Sequence, residues 1–158
     1  MTTVFAFEGI VRQLLTNAKY RNSRHVLPWL AAEIAHCLET TGLETTGFSV
    51  VTWAPTTPAR RRARGFDQAE ILARCLGSAS GFRARRLLRR LPGSPQTGLS
   101  RAERFAGPMF VGTASIVGAE VLIVDDVITT GATLAAAAAT LRMHGAMKVH
   151  GAAGALTP

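Results

Sequence analysis

The clearest indication of the fold is the stretch of residues 121–133, Val-Leu-Ile-Val-Asp-Asp-Val-Ile-Thr-Thr-Gly-Ala-Thr. The run begins with four apolar residues, Val121–Val124, which have the length of a buried strand. A polar loop follows, and an alanine-rich segment then reads as a helix that continues to His144 and is capped by Gly145. The apolar segment Lys148–Leu156 completes a strand, helix, strand unit. Such a unit predicts a parallel sheet with helices on its faces.

The sequence before this unit also alternates between helical and strand patterns. Apolar residues recur at helical spacing in Glu8–Tyr20 and again in Val26–Leu38, which predicts two amphipathic helices. Phe48–Ala54 is rich in β-branched and aromatic residues and predicts a buried strand. A loop rich in proline and arginine is expected after it. The alternation is that of an α/β fold.

The next segment carries the signals of a helix start. Asp67 and Glu70 have the spacing of a capping box, and we expect the helix that follows them to end at Gly77. Leu87-Leu88 lies in a predicted short strand among arginines. Residues 93–98 are rich in turn-forming residues and predict a mobile flap.

Composition limits the class of protein. The chain has 158 residues, of which 47% are apolar and 18% charged, and this predicts one folded domain over 1–158. We expect a helical N-terminal portion at 1–46 and an α/β core at 47–158. No apolar run approaches the roughly 18–20 residues of a membrane span, and Glu8 and Arg12 interrupt any signal-like start, so we expect a soluble, cytoplasmic protein without membrane insertion. Two cysteines exclude a disulfide framework and a four-cysteine zinc site.

The positive charge is concentrated in one region. The net charge is +8, and residues 57–106 hold twelve arginines against Asp67, Glu70 and Glu103. A basic segment of this kind predicts a polyanionic partner, either nucleic acid or a phosphorylated small molecule. The alternative interpretation is that these arginines are ordinary solvent-exposed surface residues with no binding role.

The polar residues after the Val121–Val124 strand predict a ligand site. Asp125 and Asp126 would emerge at the carboxyl end of a parallel strand, where open sheets bind ligands. Residues 129–133 add three hydroxyls, a glycine and a helix N-terminus whose free N–H groups favour a phosphate. A sugar phosphate, with vicinal hydroxyls near a 5′-phosphate, would satisfy both halves of this loop. The glycine motifs of Walker-type and dinucleotide-binding proteins are absent.

The run 121–133 resembles the phosphoribosyl pyrophosphate (PRPP) binding motif of type I phosphoribosyltransferases. The resemblance implies the type I phosphoribosyltransferase fold, PRPP as ligand, and Mg²⁺ carried by PRPP, with no metal bound directly by protein side chains. It implies that Asp125 and Asp126 are the catalytic-site residues, which bind and orient the ribose hydroxyls. The 5′-phosphate is then expected on the loop residues Thr129, Thr130, Gly131, Ala132 and Thr133.

A second resemblance lies in residues 55–68, Pro-Thr-Thr-Pro-Ala-Arg-Arg-Arg-Ala-Arg-Gly-Phe-Asp-Gln. This stretch is similar to the P-l-h-p-x-R-x-x-x-R-G-F-N-Q signature of ComF-type proteins, a phosphoribosyltransferase-like family named for DNA uptake in competent bacteria. Weaker similarity includes Gln96, Leu99 and Arg104 in the middle segment. The sequence begins after the place of the family's usual N-terminal four-cysteine zinc module, which is either lost or left out by a misassigned start. It also has Asp67 where Asn is usual.

The two resemblances together suggest where the other parts of PRPP and its acceptor would bind. The pyrophosphate is expected on the loop after the second strand, where guanidinium groups match phosphate oxygens, and the helical N-terminal portion would form a hood on the acceptor side. Purine-salvage relatives carry an acidic residue where this chain has Thr129, so purine salvage is disfavoured. The proposed pyrophosphate residues are Pro55, Thr56, Arg60 and Arg64.

Two functions of different classes stay open. The first is a ComF-like phosphoribosyltransferase or PRPP-binding protein, which transfers or senses the phosphoribosyl group with Mg²⁺, has an unknown acceptor and is linked to DNA uptake. The second is a non-catalytic accessory protein that binds single-stranded DNA through the arginine-rich segment 57–106. A homodimer is also compatible with the sequence.

Overall fold

The computed structural model describes residues 1–20, 25–42, 47–92 and 108–158. The strands are β1 (Thr2–Ala6), β2 (Val50–Trp53), β3 (Leu88–Arg90), β4 (Phe110–Gly112), β5 (Glu120–Ile128) and β6 (Lys148–Leu156). The helices are α1 (Gly9–Tyr20), α2 (Val26–Thr40), α3 (Pro58–Arg64), α4 (Gln68–Ser80) and α5 (Ala132–Met143). Elements α1, α2, β2, α5 and β6 lie where the periodicity predicts them.

The main sheet has four parallel strands in the order β1-β6-β5-β2. Its central strand β5 carries the apolar run Val121–Val124, in which every residue is fully buried. A continuous apolar run is expected for a strand that helices cover on both faces. The predicted α/β fold class, a parallel sheet flanked by helices, is therefore confirmed.

Alternate residues of β5 pack on opposite faces of the sheet. Leu122 and Val124 belong to the core formed with α2 and α4. Val121 and Ile123 belong to the core formed with α5 and with the antiparallel pair of β3 and β4. This arrangement holds the carboxyl end of β5 between two packed layers.

The expectation of a helical N-terminal portion at 1–46 is wrong in part, because this portion also contains strand β1. It pairs in parallel with β6, from Thr2 opposite Ala152 to Ala6 opposite Leu156. Helix α2 packs on the same sheet, and it approaches β6 so closely that a β-carbon at Gly154 would overlap the Leu30 side chain. The N-terminal portion is therefore joined to the core by a strand and by a helix face.

Helix α3 replaces the loop that was predicted after β2. Thr57 caps the helix by accepting a hydrogen bond from the backbone N–H of Arg60 at 3.2 Å, and Pro58 is its first residue. Gly65, at φ +78°, ends it. None of its residues is buried, so its sequence has no apolar periodicity that would predict a helix.

Helix α4 begins at Gln68 as predicted but continues past Gly77 to Ser80. Gly81, at φ +74°, is the residue that ends it. Gly77 serves a different purpose, since a β-carbon there would come within 2.8 Å of the Phe82 carbonyl oxygen. The predicted short strand is present as β3, whereas the predicted flap at 93–98 lies outside the described residues.

Candidate functional site

The carboxyl end of β5 extends beyond its neighbour β2. Pairing with β2 ends at Val124, whose carbonyl accepts a hydrogen bond from Ala54 N–H at 3.1 Å. Pairing with β6 continues to Ile128. The strand therefore continues four residues beyond the carboxyl end of the predicted Val121–Val124, and Asp125 and Asp126 lie within it. On the β2 side, the missing partner leaves a crevice at the place where open parallel sheets bind ligands.

A cavity of about 310 Å³ occupies this crevice. It brings together both carboxylates of β5, the residue after β2, two arginines of α3 and the start of α4. The residues that line it are Phe7, Ala54, Thr56, Arg60, Arg64, Asp67, Gln68, Ala69, Arg90, Asp125, Asp126, Val127, Thr129 and Thr133. Its volume lies at the lower end of the range for small-molecule sites.

The two carboxylates are held in fixed positions by the strand. Both side chains are half-buried, and Oδ1 of Asp125 accepts a hydrogen bond from the backbone N–H of Asp126 at 2.9 Å. Pairing of Asp125 with Ala153 of β6 fixes the backbone beneath them. Carboxylate oxygens on a rigid strand can accept hydrogen bonds from hydroxyl groups of a ligand.

The loop between β5 and α5 forms a smaller hollow of about 30 Å³ beside the main cavity. Gly131, at φ +75°, is the N-cap residue of α5, and Oγ1 of Thr130 accepts a hydrogen bond from the Ala132 N–H at 3.4 Å. Thr129 and Thr133 line both the hollow and the main cavity. Free N–H groups at the start of a helix favour an anion, and hydroxyls add donors.

The predicted pyrophosphate residues divide between two cavities. Thr56, Arg60 and Arg64 line the main cavity with the carboxylates. Pro55 instead lines a separate cavity on the outer side of this loop. The structure therefore brings three of these four predicted residues to the same space as Asp125 and Asp126.

Arg90 of β3 is a site residue that the sequence did not single out. It lines the main cavity, and its guanidinium lies 5.7 Å from the centre of the Phe110 ring. Burial lowers the pKa of Arg90, and Arg60 lowers it further, whereas Asp125 and Asp67 act in the opposite direction. The only signal in the sequence was strand alternation, which puts Arg90 on the same side as the buried Leu88.

Asp67 and Gln68 form the α4 wall of the cavity. Asp67 is 5% exposed, and its Oδ2 accepts a hydrogen bond from the Thr56 N–H at 2.9 Å. Burial raises the pKa of Asp67, and hydrogen bonding from nearby backbone amides opposes this rise. Gln68 is 4% exposed, and neither Oε1 nor Nε2 of its amide has a hydrogen-bond partner among the described residues.

Within the described ranges, no group of three or more His, Cys, Asp or Glu side chains is arranged to hold a metal ion. Of the helices in the same ranges, none has the length and apolar character needed to cross a membrane. Gln96, Leu99 and Arg104, which carried part of the sequence resemblance, fall outside the described part of the chain.

Comparison with known proteins gives one family and a set of similar folds. The family model for the phosphoribosyl transferase domain matches residues 64–155. No curated protein sequence matches the chain. The structure of the allosteric regulatory enzyme of purine biosynthesis has a TM-score of 0.53 at 22% identity, covering 82% of this chain and 25% of that one. At that identity the likeness concerns the fold alone.

Two further solved structures are similar at lower scores. A glutamic acid mutant from the analysis of an invariant aspartic acid in HPRTs has a TM-score of 0.47 at 19% identity, covering 82% of this chain and 65% of that one. The hypoxanthine phosphoribosyl transferase of Trypanosoma cruzi has a TM-score of 0.47 at 19% identity, covering 82% of this chain and 62% of that one. The chain spans less than two thirds of the length of each of these three proteins.

Proposed function

Because the chain belongs to the phosphoribosyl transferase domain family, we propose that it binds PRPP and transfers the phosphoribosyl group to an acceptor with release of pyrophosphate. The observation that carries this proposal is the 310 Å³ cavity, in which the carboxylates of Asp125 and Asp126 share one space with Arg60 and Arg64. Acidic groups suit hydroxyls, and guanidinium groups suit phosphates. PRPP presents both.

The ribose 5-phosphate half of the ligand would lie along β5 and the start of α5. Asp125 and Asp126 accept hydrogen bonds from the ribose hydroxyls and so orient the sugar. The 5′-phosphate takes its hydrogen bonds from the loop that lines the smaller hollow, where backbone N–H groups and hydroxyls converge. The residues of that loop are Thr129, Thr130, Gly131, Ala132 and Thr133.

The pyrophosphate half would lie towards α3 and β3. Thr56, Arg60 and Arg64 bind it, and Arg90 is added to this group because it lines the same cavity. Pro55 contributes through its fixed φ, which directs the chain into Thr56. Planar guanidinium groups bind phosphate oxygens in pairs, so they fix the direction of the leaving group as well as its charge.

Transfer breaks the bond between the anomeric carbon and pyrophosphate and forms a bond from that carbon to the acceptor nucleophile. The bonding electron pair leaves with pyrophosphate, and the sugar passes through an oxocarbenium-like state. The arginines stabilise the charge that develops on the leaving group, and the carboxylates hold the sugar in line for attack.

Mg²⁺ fits this site as a companion of PRPP. The carboxylates of Asp125 and Asp126 provide hard oxygens near the site, and these oxygens can accept hydrogen bonds from waters bound to Mg²⁺. They are two acidic groups, fewer than a dedicated protein cage for the ion would use. When bound to the pyrophosphate, Mg²⁺ would neutralise part of its charge.

Within the family, the resemblance of residues 55–68 supports a ComF-like member and, through it, a link to DNA uptake. The pairing of β1 with β6 supports a single domain over 1–158, because the first and last strands of the chain are neighbours in the sheet. A PRPP sensor that binds without transfer is distinguished from a transferase by the absence of pyrophosphate release. A homodimer stays a prediction.

A second candidate is the single-stranded DNA-binding accessory protein. It is favoured by exposed arginines of the segment 57–106 on α3 and before β3, including Arg60, Arg62, Arg83 and Arg85. Binding of an oligonucleotide that weakens steeply with salt and is indifferent to PRPP would favour this candidate over the transferase.

The first experiment is calorimetric titration of PRPP with Mg²⁺ into the wild type and into the double variant Asp125→Asn, Asp126→Asn. Saturable binding that the double variant loses is the expected result. Glu120→Gln is the matched control, since it neutralises a carboxylate at the opposite end of the same strand, where Glu120 pairs with Lys148 at 3.7 Å. A folded wild type that binds no PRPP would overturn the proposal.

A further inference from the structure

A second cavity of about 210 Å³, here called the outer cavity, lies beside the main cavity along the residues that follow β2. It shares Thr56, Asp67 and Arg90 with the main cavity, so these residues form a partition between the two spaces. The full lining of this outer cavity is Trp53, Pro55, Thr56, Pro58, Arg61, Asp67, Arg86, Arg89, Arg90 and Pro92.

The charges around the outer cavity are strongly unbalanced. Four of its lining residues are arginines and one is an acid, Asp67. Asp67 can offset at most one of these four charges, and its carboxyl already accepts the Thr56 N–H. Arg61 reaches Glu70 at 3.5 Å, outside the cavity lining. No ion pair within the described ranges joins Arg86 or Arg89 to an acid.

Guanidinium groups that face one concave space repel one another, and the walls of a cavity strengthen the field they share. An anion bound in the space attracts each guanidinium group and so offsets the repulsion among them. Arg86 and Arg89 lie on the exposed rim, whereas the half-buried Arg90 lies deeper. The arrangement suits a group with several negative oxygens, because guanidinium binds such oxygens in pairs.

Rigid residues surround these arginines. Pro55, Pro58 and Pro92 fix the backbone at three points of the lining, and the buried Trp53 forms part of the wall. A preformed wall lowers the cost of ordering the site when a ligand binds. An arginine cluster on rigid backbone is thus better prepared for an anion than arginines on a free loop.

We propose that the outer cavity is a second anion site, which binds a phosphate group of a polyphosphate or of a nucleic acid strand while PRPP occupies the main cavity. Arg61, Arg86 and Arg89 line the outer cavity and do not line the main one. The two ligands therefore need not compete for these three arginines.

The test measures binding of two probes to protein saturated with PRPP and Mg²⁺. One probe is inorganic tripolyphosphate and the other is a single-stranded oligothymidylate, each titrated at several salt concentrations. The double variant Arg86→Gln, Arg89→Gln removes two rim charges. The matched control, Arg12→Gln with Arg142→Gln, removes the same charge from exposed residues of α1 and α5 that line neither cavity.

We expect the Arg86/Arg89 variant to lose about 10-fold or more in affinity for at least one probe, since each charge-assisted hydrogen bond contributes strongly. Its PRPP affinity and the probe affinity of the control should stay within a factor of about two, because screening limits the reach of distant charges. For the oligonucleotide, the slope of log K against log salt should fall by roughly 1.4, the contribution of two phosphate contacts on a single strand.

The outcomes separate the sources of the phosphate and the ways in which the proposal fails. Preference for tripolyphosphate identifies a free polyphosphate, and preference for the oligonucleotide identifies a nucleic acid strand. Equal losses in the variant and the control, a parallel loss of PRPP affinity in the variant, or binding of neither probe overturns the second site. If the wild type binds no PRPP, the same titrations without PRPP decide the question on the same criteria.

Discussion

The backbone N–H of Thr56 donates a hydrogen bond to Oδ2 of Asp67 at 2.9 Å and thereby ties the loop after β2 to the start of α4. The two residues are eleven positions apart in the chain. Both line the main cavity and the outer cavity. The bond fixes the wall that the two cavities share, and it leaves the carboxyl of Asp67 buried.

Asp67→Asn is expected to raise the melting temperature at neutral pH. Burial raises the pKa of Asp67 in the folded protein above its unfolded value. The stability that depends on this residue is therefore complete below the unfolded pKa and is lost as pH rises through the folded pKa. Asn keeps an oxygen for the Thr56 N–H but cannot ionise, so it avoids that loss.

Thermal melts of both proteins from acidic to neutral pH provide the measurement. The gap between variant and wild type should widen as pH rises, whereas Gln13→Asn, at an exposed position without an ionisable group, should show no such widening. A gap that stays constant with pH would show that Asp67 does not titrate differently in the folded and unfolded states.

Arg90→Ala is expected to weaken PRPP binding by about 10-fold or more, because a hydrogen bond between charged groups contributes roughly 1.5–3 kcal/mol. Arg90→Lys should recover part of this affinity, since it restores charge without the planar fork. Calorimetry measures both, with the exposed Arg85→Ala as the control. Unchanged affinity in Arg90→Ala would remove Arg90 from the pyrophosphate group.

Gly131→Ala tests the backbone at the start of α5. Its φ is +75° and no atom lies within 4 Å of the position of a β-carbon, so the cost is conformational and amounts to about 1–2 kcal/mol. Gly118→Ala is the matched control, because Gly118 has φ +74° and equally open surroundings. Both variants should lose similar stability, but only Gly131→Ala should weaken binding of ribose 5-phosphate. An equal loss of ligand affinity in both would contradict this assignment.

Gln68→Met is expected to preserve or increase stability, by up to about 1–3 kcal/mol, because two buried polar atoms of Gln68 have no hydrogen-bond partner among the described residues. Methionine has a similar shape and no strong hydrogen-bonding groups. Chemical denaturation measures the effect, and Gln13→Met at an exposed position serves as the control. A marked loss of stability would mean that the Gln68 amide is hydrogen-bonded in solution.

The strand, helix, strand unit at the end of the chain could be predicted because each part has a strong local signal. Val121–Val124 is a continuous apolar run, Gly145 caps α5 at φ +97°, and β6 has the predicted bounds Lys148–Leu156. The end of β5 could not be predicted in the same way, since two acidic residues usually interrupt a buried strand. Pairing with β6 continues beneath them to Ile128, and that partner is remote in sequence.

Other parts of the fold and site depend on contacts that local patterns do not contain. Strand β1 is short and lies at the edge of the sheet, so its strand character comes from pairing with β6. Helix α3 has cap signals at Thr57 and Gly65 but no apolar face. Arg90 reaches the site only because β3 lies beside it in space, which the sequence around Arg90 does not reveal.

The position of β6 in the sheet also has a consequence for biosynthesis. This strand lies between β1 and β5, although it is synthesised after both of them. Until then, β1 has no neighbour in the sheet and the acidic end of β5 has no hydrogen-bonded support. Pairings of such long sequence separation form late and slowly, so the nascent chain must carry unpaired strand edges until β6 has been synthesised.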